Sequence, residues 1–217
     1  LNTANDNTAY GFSTLCNNTT GCANVAVGVE SLACNLTGIR NTAVGQAALK
    51  GNTDGNYNTA VGYAALLRVE NNDNTGIGFN AGQNISIGTG NSFVGKSAGA
   101  GITAGANNVG IGNTVMQYAQ GSASNNVAIG FCTMVNASGS HGVGIGTNAL
   151  SNTQCTGNIA IGYRSQFLNT TGAANVSVGY AAMCKTTTGG YNVAVGYSAL
   201  CEHTTGVYNT ALGMEAL

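Results

Sequence analysis

Asn41-Thr-Ala-Val-Gly-Gln-Ala-Ala-Leu49 and Asn58-Thr-Ala-Val-Gly-Tyr-Ala-Ala-Leu66 are nearly the same nine residues, written seventeen positions apart. The heart of the pattern is Asn, then Thr or Val, a small residue, Val or Ile, and Gly. It recurs along the whole chain, ending at Gly11, Gly28, Gly45, Gly62, Gly78, Gly95, Gly112, Gly130, Gly146, Gly162, Gly179, Gly196 and Gly213, in steps of 16 to 18 residues. Self-similarity at a short fixed period marks a solenoid, because each repeat buries its apolar side only by stacking on the next.

Within the pentad the side chains alternate with the period of two that a strand imposes. Large apolar residues are expected inside, and small ones where another backbone approaches. On that rule the strand core is Val27, Val44, Val61, Ile129, Ile161 and Val195, faced from the opposite wall by a second apolar column four residues after the Gly, at Leu32, Leu49, Leu66 and Leu200. The alternate column, Ala26, Ala43, Ala60, Ala128, Ala160 and Ala194, is expected outside, as a flat interchain face along which parallel chains pack, three around an axis. A further Gly near the end of many coils, such as Gly38, Gly55 and Gly189, supplies a turn.

The predicted fold is all-β, a parallel β-solenoid (β-roll) of about thirteen coils with a 17-residue repeat, forming one domain over residues 1–217 and a side-by-side homotrimer. Coils stacked at about 4.8 Å would make a rod of about 58 Å. The Asn that heads each pentad, replaced by Gly142 in the ninth, is expected to form a ladder of stacked amides. Coils over about 74–107 depart from the pattern: Gly82 and Gly99 replace the Leu column, and Phe93 stands where a small residue belongs.

Composition narrows the function. The chain carries 34 Gly, no Pro, no Trp and 6% charged residues, where an ordinary domain has about a quarter charged. Six basic and seven acidic residues are scattered, with no basic stripe, so no nucleic-acid partner is expected. No run of 18 apolar residues is present, so no membrane span is expected. The chain opens and closes inside a repeat, which leads to the expectation of a piece of a longer fibre.

The two nonapeptides above, with Asn192-Val-Ala-Val-Gly-Tyr-Ser-Ala-Leu200, resemble the repeats of tail-fibre-like proteins of phages and large algal viruses. More distantly, Asn126-Val-Ala-Ile-Gly130 and Asn158-Ile-Ala-Ile-Gly162 are similar to the strands of trimeric autotransporter adhesin heads. The resemblance to the heads implies a left-handed parallel β-roll, three chains side by side, and a role in attachment. The expected function is thus a structural shaft of a virion or cell-surface fibre, extracellular, with itself as partner and a host-surface receptor or glycan as a further one. The alternatives are an adhesin that binds host glycans through its turns or its Tyr column, and an ice-binding solenoid with Thr ladders.

Chemistry that would make an enzyme is missing from the pattern. Gly-rich stretches such as Gly142-Val-Gly-Ile-Gly146 recur at the solenoid period and lack the acidic residue of a dinucleotide site. His141 and His203 have no second His or carboxylate pair at ligand spacing, so no catalytic, cofactor or metal site is expected. Cys184 and Cys201 share one position in adjacent coils and are expected as small buried hydrophobes beside the Leu column rather than as a bonded pair. Sequons in the turn after that column make Asn17, Asn18, Asn35, Asn136 and Asn169 candidate glycan acceptors.

Overall fold

The computed structural model describes residues 4–119 and 121–217. Thirteen three-residue strands form one parallel sheet in sequence order: β1 (Thr8–Tyr10), β2 (Val25–Val27), β3 (Thr42–Val44), β4 (Thr59–Val61), β5 (Thr75–Ile77), β6 (Ser92–Val94), β7 (Val109–Ile111), β8 (Val127–Ile129), β9 (Val143–Ile145), β10 (Ile159–Ile161), β11 (Val176–Val178), β12 (Val193–Val195) and β13 (Thr210–Leu212). Each coil is numbered by its strand. The register is that of the repeat, with Ala26 opposite Ala43 and Ala43 opposite Ala60. The chain is an all-β parallel solenoid, and no helix forms among the described residues.

The rest of each coil is hydrogen-bonded as systematically as the strands. After Gly45 three tight turns follow in succession, closed by Ala48 N–H to Gly45 O (3.3 Å), Lys50 N–H to Ala47 O (3.3 Å) and Asn52 N–H to Leu49 O (3.1 Å). Ala47 and Leu49 sit at φ 58° and 50°, the third position of turns of type II character. Non-Gly residues avoid this region because Cβ crowds the carbonyl. Here it lets the N–H of Leu49 reach Ala65 O in the next coil (3.0 Å), so backbone bonding between coils continues outside the sheet.

The lumen reverses the expected assignment of strand sides. Ala26, Ala43, Ala60, Ala128, Ala160 and Ala194 are fully enclosed, whereas Val44, Val61 and Ile161 are exposed and Val27, Ile129 and Val195 half-buried. The Leu column is inside as expected, with Leu32, Leu49, Leu66 and Leu200 buried. The reason is volume. The Leu side chains come from the opposite wall and already fill the space before the strand: at Gly76, an added Cβ would lie 2.7 Å from Leu66 Cγ. Only Ala, Gly or Ser fits between a strand and a Leu across so thin a core.

The same rule explains the irregular coils. Phe93, fully buried in β6, is the one large side chain on the inward strand column, and its ring occupies the space left by Gly82 and Gly99. Ile85 and Ile102 fill the position that Asn35 and Asn52 take in earlier coils. The middle of the rod therefore exchanges large for small across the lumen.

The Asn ladder is present. Asn41 N–H donates to Asn24 Oδ1 (2.9 Å), Asn58 N–H to Asn41 Oδ1 (2.9 Å) and Asn74 N–H to Asn58 Oδ1 (3.0 Å). Each carboxamide also donates to a carbonyl, as Asn41 Nδ2 does to Gly55 O (2.8 Å). At Gly142 the backbone N–H still donates to Asn126 Oδ1 of the coil below (2.8 Å), but no side-chain oxygen is offered to the coil above.

Candidate interaction surface

Because the inward column takes the small residues, everything of the other parity points outward. Four columns result: the residue five before the repeat Gly, the two outer strand residues, and the residue just after the Gly. In the fourth coil these are Tyr57, Thr59, Val61 and Tyr63. Val25, Val44, Val61, Ile77, Val94, Ile111, Ile161 and Val193 are all exposed on this face. The two outer strand columns, each two residue rises wide, make a strip of roughly 58 Å by 13 Å, or about 750 Å², without a charged side chain. Contiguous apolar patches larger than a few hundred Å² mark interaction sites.

The aromatic columns at its margins are stacked along the rod. Tyr163 and Tyr180 lie 4.9 Å apart between centroids, Tyr180 and Tyr197 5.1 Å, and Tyr63 and Phe79 5.3 Å. A second column stacks Tyr191 on Tyr208 at 5.3 Å. Stacked rings cover one another's faces, and a sugar ring packs on an aromatic face, so within the ladder only ring edges remain for a ligand.

The turn Thr residues expected to present a hydroxyl array do something else. Thr19 Oγ1 donates to Leu36 O (2.8 Å), Thr170 Oγ1 to Thr187 O (3.0 Å) and Thr187 Oγ1 to Thr204 O (3.2 Å). These hydroxyls satisfy carbonyls of the next coil, and so serve the stack rather than the solvent.

Among the candidate glycan acceptors, Asn17 and Asn136 are exposed. Asn35 and Asn169 are fully buried and hydrogen-bonded within the coil, Asn169 Nδ2 to Gly172 O at 2.9 Å, so the folded chain offers no room for a glycan at either. Asn18 is half-buried and accepts from Asn35 Nδ2 (2.8 Å). The sequon pattern was blind to this, because the same turn position that reads as a loop tip is the start of a second Asn ladder.

Charged groups are few, and four of them form two local ion pairs. Lys50 Nζ lies 2.8 Å from Glu30 and Lys185 Nζ 2.7 Å from Glu202. The Glu30 carboxylate, accepting that hydrogen bond, holds Lys50 above the ordinary lysine range. Glu202 thus pairs with Lys185 rather than with His203, whose Nε2 lies 3.1 Å from Asn209 Nδ2. Among the described residues no three His, Cys, Asp or Glu side chains gather as metal ligands. Cys184 and Cys201 are joined in a disulfide across adjacent coils, with Cα atoms 5.0 Å apart, in place of the expected free thiols. Among the described residues no helix is long and apolar enough to cross a membrane. No known family, curated protein or solved structure matches the chain.

Proposed function

We propose that the chain is a shaft segment of a virion or cell-surface fibre, in which parallel copies pack side by side through the Val and Ile face, three around an axis. The observation that carries this is the uncharged outward strand face of about 750 Å², larger than the few hundred Å² of contiguous apolar surface that a lone chain ordinarily exposes. A second copy is the natural occupant. Its face repeats at the same coil rise, so parallel chains at one height bring identical columns together at every coil. A chain with 6% charged residues has little else to keep such a surface soluble. The Cys184–Cys201 disulfide suits an oxidising, extracytoplasmic setting. The solenoid supplies length and stiffness.

Sedimentation and native mass spectrometry test the reading. The unmodified chain should be a trimer at micromolar concentration. Val44→Asp with Val61→Asp should yield monomers that keep the β-solenoid circular dichroism, because these side chains are exposed. Ala60→Asp should instead unfold its region, since it buries an unpaired charge. Monomers only, for the unmodified chain, would refute the assembly.

A further inference from the structure

The wall opposite the strands carries a groove of about 600 Å³ across coils 5, 6 and 7. Its origin is a local change of side-chain size. At the fifth and sixth positions after the repeat Gly, coil 5 has Gln83 and Asn84 and coil 7 has Gln117 and Tyr118, whereas coil 6 has Ala100 and Gly101. The missing side chains of coil 6 leave a slot floored by Ala100 and Gly101, with amides on one wall and amide and phenol on the other. Two coil steps separate the walls, about 9.6 Å from backbone to backbone.

The slot's chemistry is specific. Among the described residues that line it, none is charged. Asn84 Nδ2 is held by Ala100 O (2.7 Å), which fixes its carboxamide against the floor. Gln83 and Gln117 donate and accept no side-chain hydrogen bond within the described chain, although elsewhere amides are locked into ladders. Asn80, also in the lining, has its Oδ1 enclosed without a partner. A carboxamide carries two donors and an acceptor with two lone pairs, spaced to meet neighbouring hydroxyls on one ring. The Tyr118 ring is more than half exposed beside them. A volume of this size falls within the range of small-ligand sites, roughly 300–1,000 Å³.

We propose that this groove is a binding site for a neutral pyranose, either a free sugar or one residue of a glycan, seated between coils 5 and 7. The ring lies edge-in over Ala100 and Gly101, its hydroxyls on Gln83 and Gln117 and an apolar C–H face towards Tyr118. An uncharged lining gives no compensation for a desolvated carboxylate, sulfate or phosphate, so acidic sugars are excluded. The site is independent of the shaft assembly. It lies on the wall away from the Val and Ile face and stays open whether or not chains associate.

The test uses the whole chain against a panel of immobilised neutral oligosaccharides ending in glucose, galactose, mannose, fucose or N-acetylglucosamine, with sialylated and sulfated members alongside. Saturation-transfer NMR with the matching free monosaccharides reads the direct contact. At least one neutral sugar should bind in the millimolar range or tighter. Ala100→Gln fills the slot with the residue that both neighbouring coils already carry at that position, so folding is retained; it should weaken binding by at least about tenfold with an unchanged melting curve. Gln83→Ala with Gln117→Ala should do the same. Val61→Asp, which disrupts the proposed assembly face, should leave binding to each chain intact, so that failure of the shaft reading and failure of this one are told apart. Binding of none of the neutral sugars, binding only of the acidic ones, or binding that survives Ala100→Gln overturns the proposal.

Discussion

The repeat Gly is held by two separate constraints. Its φ lies near 130° in coil after coil, for example 131° at Gly45 and 132° at Gly62, where a side chain is strained whatever the space around it. A Cβ on Gly45 would also lie 2.5 Å from Gly62 O in the next coil. Gly157 lacks both constraints: its φ of 75° lies in the milder left-handed region, and a Cβ there would meet nothing nearer than Ala174 Cα at 3.9 Å. Gly45→Ala should therefore cost about 3 kcal/mol of stability, and Gly157→Ala only about 1 kcal/mol. Chemical denaturation of the two variants checks the difference, and equal losses would show that neither the φ near 130° nor the close carbonyl adds to the cost.

At the scale of the coil, the Asn ladder links residue chemistry to stacking. Asn58 Oδ1 is the acceptor for the buried Asn74 N–H, and Asn58 Nδ2 donates to Asn71 O (2.7 Å). Asn58→Ala strands that N–H in the lumen wall and should cost about 2 kcal/mol, seen as a lower melting temperature. The natural break at Gly142 shows that one missing rung is tolerated, so the fold survives while the stability falls. The period, the pentad, the Leu column and this ladder were all legible in the sequence, because each repeats at fixed spacing. The side of the strand was misread, because size was used where parity decides. Asp6, Arg40, Asp73 and Lys96 share the parity of the outer Val and Ile residues, and all are exposed. The ladder Asn and the repeat Gly share the parity of Ala. Charge on one parity and buried amides on the other would have placed Val outside. The groove was not legible. Ala100 and Gly101 read as ordinary small residues until three coils are stacked, and only the stack shows that their neighbours above and below are long.

Across the whole rod the core is divided. One apolar cluster runs from Ala26 to Ala160, and a second holds Ala182, Met183, Ala194, Ala199, Leu200 and Ala211. Between them Gln166 takes the place of Leu, with Nε2 donating to Ile159 O (2.9 Å) and Ser177 Oγ (3.0 Å) and Oε1 accepting from Asn169 Nδ2 (3.0 Å). Ser165 Oγ closes the cluster against Ser177 Oγ. These groups are satisfied, but they interrupt the apolar contact through which neighbouring coils support one another. In a stack where each coil touches only the next, such a break sets the boundary of a cooperative unit. Coils 11 to 13 should thus open separately, and the Cys184–Cys201 disulfide lies wholly within them, closing 17 residues of chain. A loop of that length contributes about 3 kcal/mol in the chain-entropy account, equivalent to about a hundredfold in an opening equilibrium. Reduction should therefore speed amide exchange about a hundredfold from Ala182 to Leu212 while leaving Val25 to Leu150 unchanged. Gln166→Leu with Ser177→Ala makes both sides of the contact apolar. Asn169 Nδ2 keeps Gly172 O and Ser165 Oγ keeps Ser177 O, and Ile159 O loses its side-chain donors, so the net change in stability should be small. The double substitution should join the two clusters, so that the last coils exchange more slowly and reduction accelerates them less. Uniform acceleration of exchange along the whole rod on reduction would show instead that all thirteen coils unfold as one.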